Sequence, residues 1–185
     1  MKNIFSTKQT RGFTLMEMIA SIAIIGIIFS IFLANYRGTN NRSELVGAAQ
    51  KLASDIRLAQ NYSLGLKKAS DTDADPPPGG WGVYVDEASA SYILFADKNA
   101  PDGNRIYDNG EKFREIFLPD GVMINTNGIS VGGASAQTSA IVFFPPDPVT
   151  YISNSSTTDI SITLKDRNNS TLAVKVNFLG LVEVN

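Results

Sequence analysis

The feature that most constrains this chain is an uninterrupted apolar run near its N-terminus. Residues 13–33 read FTLMEMIASIAIIGIIFSIFL, and Glu17 is their only charge. As an α-helix, this run at about 1.5 Å per residue spans about 32 Å, close to the ~30 Å hydrocarbon core of a bilayer. We therefore expect a membrane helix joined to the more polar remainder of the chain.

Two ordinary interpretations compete for residues 1–33. A secretory signal peptide has a basic region, an apolar core of about 7–15 residues and a small-residue cleavage site. Here the apolar run is longer, and no A-x-A-like site follows it. We therefore expect the apolar segment to remain in the protein as a single-pass membrane helix and not to be removed as a signal peptide. The basic residues Lys2, Lys8 and Arg11 should keep the N-terminus cytoplasmic and place the C-terminal part outside.

Neither interpretation explains Glu17. An ionisable residue inside a membrane segment is by default a functional-site hypothesis. The alternative is that the Glu17 side chain reaches the lipid headgroups. Its position alone leaves both explanations open.

The run Arg11-Gly12-Phe13-Thr14-Leu15-Met16-Glu17 resembles the processing site of type IV prepilins and pseudopilins. The resemblance implies that a prepilin peptidase cleaves after Gly12, that Phe13 becomes an N-methylated terminus, and that Glu17 is the assembly residue. Gly12 has no side chain, so the backbone can enter a protease cleft closely. Glu17 of one subunit could pair with the cationic amine of Phe13 on its neighbour, since an isolated carboxylate in a filament core is strongly disfavoured. That pair would set the stagger between subunits.

Residues 34–69 are predicted to form an amphipathic helix. Apolar or small residues recur at spacings of three and four, namely Leu45, Ala49, Leu52, Ile56, Ala59, Ser63 and Leu66. Residues 35–41 (NYRGTNN) are a candidate interruption, because Gly38 and the asparagines are weak helix formers.

The chain beyond this helix is predicted to be rich in antiparallel strands. Residues 70–80 (SDTDADPPPGG) are a loop. Short β-prone runs follow: Trp81–Val85, Tyr92–Ala96, Phe113–Leu118, Val122–Ile124, Ala140–Phe144, Ile160–Leu164, Leu172–Phe178 and Leu181–Val184. We therefore expect an α+β fold. Its predicted parts are a leader (1–12), a transmembrane and assembly helix (13–33), an amphipathic helix (34–69) packed on an antiparallel β-sheet, and a soluble β-rich domain (70–185).

The segments LASDIRLAQNYSLG, GWGVYVD, SYILFADKN, YDNGE and the terminal ITLKD…LAVKVNFLGLVEVN are similar to the GspH/FimT group of minor pseudopilins and minor pilins. The resemblance implies a pilin-like helix spine with a β-domain, placed at or near the tip of a short filament. Such filaments serve type II secretion, type IV pili or DNA uptake. Some relatives capture DNA through a basic C-terminal patch. Residues 178–185 carry Glu183 and no cation, so direct DNA binding is not expected.

Composition narrows the possible chemistry. The formal net charge is −2 and residues 1–12 contribute +3, so residues 13–185 carry −5, which gives no electrostatic reason for nucleic-acid binding. Without Cys or His, thiolate and His-based acid–base or zinc chemistry are excluded. No catalytic set and no cofactor motif emerges, and we expect a protein that is not an enzyme.

One polar loop resembles part of a calcium site. Oxygen donors alternate from Asp97 to Asp108, with Glu111 following. The spacing is not that of an EF-hand, and a polar β-turn loop explains the same residues.

Two functions therefore remain. The first is a minor pilin or pseudopilin subunit whose partners are other such subunits, the prepilin peptidase and the inner (cytoplasmic) membrane, before it joins an extracytoplasmic filament. The second is a membrane-tethered β-domain that binds a substrate, a glycan or calcium and does not polymerise. Glu17 favours the first, because a simple tether gains nothing from a charge in its apolar segment.

Overall fold

The computed structural model describes residues 12–146 and 149–185, with the backbone alone described for residues 34–40. The described residues divide into two compact units, one that ends at Thr39 and one that comprises residues 40–185. One helix, α1 (Leu15–Leu64), contributes to both. Ten strands follow: β1 (Gly80–Asp86), β2 (Ser91–Asp97), β3 (Lys112–Phe117), β4 (Met123–Val131), β5 (Ala134–Ala136), β6 (Thr138–Phe144), β7 (Val149–Ile152), β8 (Ile160–Lys165), β9 (Thr171–Val176) and β10 (Val182–Val184).

The strands form two five-stranded sheets in which every paired neighbour is antiparallel. The first sheet has the order β3-β2-β1-β6-β7 and the second has the order β10-β9-β8-β4-β5. The predicted α+β fold, with a long N-terminal helix and antiparallel strands, is confirmed. The division of the strands between two sheets was not predicted.

The C-terminal part of α1 packs on both sheets. Its buried residues are Leu45, Ala48, Ala49, Leu52, Ala53, Ile56 and Ala59, which repeat with the spacing of one helix face. They share a single cluster with Val83 and Leu94 of the first sheet and with Ile162 and Val174 of the second. Small residues on this face let the helix approach the strands closely. One core therefore joins the helix and both sheets within residues 40–185.

Two predictions about the helix are wrong. Residues 35–41 do not interrupt it, since the backbone is helical throughout α1. A glycine inside a helix costs only about 1 kcal/mol relative to alanine, less than breaking the hydrogen-bond ladder would. The helix also ends at Leu64, and not near residue 69.

The helix end has a clear local cause. The Lys67 N–H donates to the Tyr62 carbonyl and the Leu66 N–H donates to that of Ser63, the pattern of a Schellman motif. Leu66 has a positive φ of 49° and is 51% exposed. The prediction that it belongs to the buried face of the helix is therefore wrong. The Trp81 indole donates to the Lys67 carbonyl at 2.9 Å, which ties the segment after the helix to β1.

Candidate functional site

The candidate site lies where the N-terminal apolar helix begins. Gly12 and Phe13 precede the helix, and the Phe13 side chain is 82% exposed. Thr14 stands immediately before Leu15, the first helical residue. Glu17 is the acidic residue of the first turn. The three residues singled out from the sequence, Gly12, Phe13 and Glu17, therefore lie together around one helix N-terminus.

Thr14 and Glu17 form a capping box. The Thr14 N–H donates to Glu17 Oε2 at 2.9 Å, and the Thr14 hydroxyl donates to the same oxygen at 3.0 Å. In return the Glu17 N–H donates to Thr14 Oγ1 at 3.3 Å. Two helix-end N–H groups are thereby satisfied reciprocally, and the carboxylate also lies at the positive end of the helix dipole. Glu17 is thus held by hydrogen bonds within its own chain.

Sequence reasoning missed Thr14 as a functional candidate, although a signal was present. Thr14 and Glu17 have the T-x-x-E spacing of a capping box, directly before an apolar run.

The helix that follows this site is apolar on every side. Leu15–Leu33 is the one span in the described part of the chain that is long and apolar enough to cross a membrane, with a mean hydropathy of 2.4. Its large side chains are exposed, from Ile25 at 53% to Leu15 at 79%. The hydroxyls of Ser21 and Ser30 donate to the carbonyls of Glu17 and Gly26, respectively, so they need no water. Such a surface is suited to lipid or to other apolar helices.

The calcium candidate has a self-contained hydrogen-bond network. Asp97 is fully buried and accepts backbone N–H groups, that of Arg105 at 2.7 Å among them. Glu111 accepts those of Lys98 and Asp108, and burial raises the pKa of Glu111. Asp108 Oδ2 accepts the amide groups of Asn99 and Asn104. Within residues 12–146 and 149–185, no three acidic residues converge as metal ligands would.

Three other acids of the β-domain, Asp86, Glu87 and Glu115, make contacts that support the local structure. Asp86 accepts the Ala88 N–H, and Glu87 accepts the N–H of Asn127. Glu115 accepts the Ser91 hydroxyl at 2.8 Å and pairs with Lys112. Each of these acids therefore has a local structural contact.

Comparison with known proteins identifies the N-terminal segment. A family model described as the prokaryotic N-terminal methylation motif matches residues 7–33, a range that contains Gly12, Phe13 and Glu17. No curated protein and no solved structure matches the chain. The match covers the start of the chain and does not extend to the β-domain. It supports a type IV prepilin-like, pilin-type N-terminal segment.

Proposed function

We propose that the chain is the precursor of a minor pilin or pseudopilin of the GspH/FimT kind. A prepilin peptidase removes residues 1–12, Phe13 is N-methylated, and the subunit enters a type IV pilus-like or type II secretion filament through its N-terminal helix. Before assembly, the helix holds the subunit in the inner membrane with residues 70–185 outside. A place at or near the filament tip is supported by the resemblance of the β-domain segments alone.

One observation carries the proposal. The exposed apolar segment Leu15–Leu33 contains a single charge, Glu17, and begins directly after Gly12, Phe13 and Thr14 within a methylation motif. A membrane tether requires only the apolar residues. A carboxylate one turn from the new terminus adds a means of pairing with another subunit's Phe13 amine, which is cationic whether or not it is methylated.

The cleavage is tested by expressing the full chain with a prepilin peptidase and measuring the molecular mass of the membrane-extracted protein by mass spectrometry. We expect the mass of residues 13–185 plus one methyl group. Gly12→Val should leave the precursor intact, whereas Gly26→Val is a matched control that should be processed. A Cβ at either glycine meets no atom within 4 Å, so a difference between them reports contact with the peptidase. An intact leader on the parent chain would refute the cleavage.

The assembly role is tested by the fraction of processed subunit found in sheared filaments. Glu17→Gln should lower that fraction, because the amide cannot neutralise the neighbour's amine. Ser30→Ala, further along the same exposed helix, should leave it unchanged. If Glu17→Gln is processed and incorporated like the parent, Glu17 is not the assembly residue. If the processed parent itself is absent from the sheared filaments, the non-polymerising binding module becomes the better explanation.

A further inference from the structure

The two oxygens of the Glu17 carboxylate have different surroundings. Both donors from Thr14, its N–H and its hydroxyl, reach Oε2. Oε1 has no hydrogen-bond partner among the residues that the structure describes. The carboxylate is therefore held on one side and open on the other.

We propose that Thr14 is a positioning residue that presents Oε1 of Glu17 to the terminal amine of a neighbouring subunit; the inference rests on the function proposed above. Two donors on Oε2 fix the orientation of the carboxylate and stabilise its charge where water is scarce. Oε1 can then accept a hydrogen bond from the neighbour's ammonium group without first giving up a hydrogen bond of its own. A carboxylate oriented in advance avoids part of the ordering cost of association.

Processing leaves the Thr14 donors of this arrangement in the chain. Cleavage between Gly12 and Phe13 leaves the peptide bond between Phe13 and Thr14 intact, so both donors on Thr14 remain. The same cleavage creates the amine that the proposal requires on the partner.

The Thr14 hydroxyl can be removed with little change in shape. Thr14→Val keeps the β-branched outline and the backbone N–H, but it deletes both contacts made by the hydroxyl. Thr14→Ser keeps the hydroxyl and serves as the matched control. The molecular mass of both variants is first measured by mass spectrometry, to establish that cleavage and methylation proceed as in the parent. This check is needed because Thr14 lies close to the processing site.

Two measurements test the inference on processed full-length subunits. The first is the fraction incorporated into filaments for the parent, Thr14→Val, Thr14→Ser and Glu17→Gln. The second is the ¹³C resonance of the Glu17 side-chain carboxyl in detergent, identified by its absence from Glu17→Gln. We expect Thr14→Val to move the resonance and to lower incorporation several-fold. Thr14→Ser should match the parent in both.

The outcomes separate this inference from the function beneath it. If Glu17→Gln is impaired while Thr14→Val incorporates normally, the positioning role is refuted and the proposed function stands. A loss in Thr14→Val with an unmoved Glu17 resonance also refutes positioning, because Thr14 would then act only as a helix cap. Normal incorporation of Glu17→Gln refutes the positioning role as well as the pairing of Glu17, whereas absence of the processed parent from filaments overturns the proposed function itself.

Discussion

The sharpest test of the fold concerns a buried carboxylate on the helix. Asp55 is 1% exposed. Its Oδ2 accepts the Tyr92 hydroxyl of β2 at 2.7 Å. Its Oδ1 lies 2.9 Å from the Lys51 amine and 3.4 Å from the Arg114 guanidinium of β3. Asp55 therefore links α1 to two neighbouring strands of the first sheet.

The expected cost of Asp55→Ala follows from the exposure of its partners. Lys51 and Arg114 are 56% and 47% exposed, and ion pairs with such cations contribute only about 0–1 kcal/mol each. The Tyr92 hydroxyl is buried, and its bond to a charged acceptor contributes about 1.5–3 kcal/mol. We expect Asp55→Ala to lower the free energy of unfolding by about 2–4 kcal/mol, most of it through Tyr92.

Urea unfolding in detergent, followed by the fluorescence of Trp81, measures this loss. Trp81 is the one tryptophan of the sequence and is 1% exposed, so its emission reports the core. Lys51→Ala is the control and should cost less than about 1 kcal/mol. The losses for Asp55→Ala and Tyr92→Phe should be less than additive in the double variant, since both remove the same bond. If Asp55→Ala costs no more than Lys51→Ala, the reasoning is wrong.

Three further predictions concern the β-domain. Burial and the hydrogen bond to the Asp55 carboxylate raise the pKa of Tyr92, so the folded state keeps a proton that the unfolded chain releases above about pH 10. The free energy of unfolding should therefore fall as pH rises past that point, and it should fall less steeply in Tyr92→Phe. Urea unfolding midpoints at a series of pH values measure both slopes. Gly103→Ala should cost about 1–3 kcal/mol more than Gly110→Ala, because a Cβ at Gly103 comes within 2.2 Å of the Gly79 Cα, whereas one at Gly110 meets nothing within 4 Å, and both have positive φ. Millimolar calcium should leave the melting temperature unchanged relative to a chelator, since the Asp97 carboxylate already accepts backbone N–H groups; a rise with calcium concentration would contradict this.

The sequence predicts those parts of the fold that depend on periodicity. The buried residues of α1 from Leu45 to Ala59 repeat at helical spacing. Ile160, Ile162 and Leu164 alternate with polar residues and lie buried on β8. In both cases one face meets the core and the other does not, so the pattern of side chains records the environment of the backbone.

Other parts depend on contacts between distant residues and are not visible in any short window. Two pairings join strands that are far apart in the sequence, namely β1 with β6 in the first sheet and β4 with β8 in the second. These pairings determine which strands belong to which sheet. The strand β5 (Ala134–Ala136) consists of small residues with no β-prone pattern. The helix end depends on a positive φ at Leu66, although the adjacent Gly65 is the residue that normally signals such a turn.

The helix α1 has two apolar patterns, and each fits a different environment. Near Ile56 a single apolar face is sufficient, because the β-sheets cover that side and water the other. From Leu15 to Leu33 the residues are apolar all round, which is stable only where every side meets hydrocarbon or other apolar helices. The one charge in that segment lies in its first turn, where Thr14 supplies two hydrogen bonds. A carboxylate there is stabilised within its own chain while one oxygen stays open, which is the combination that the proposed pairing with a neighbour's amine would use.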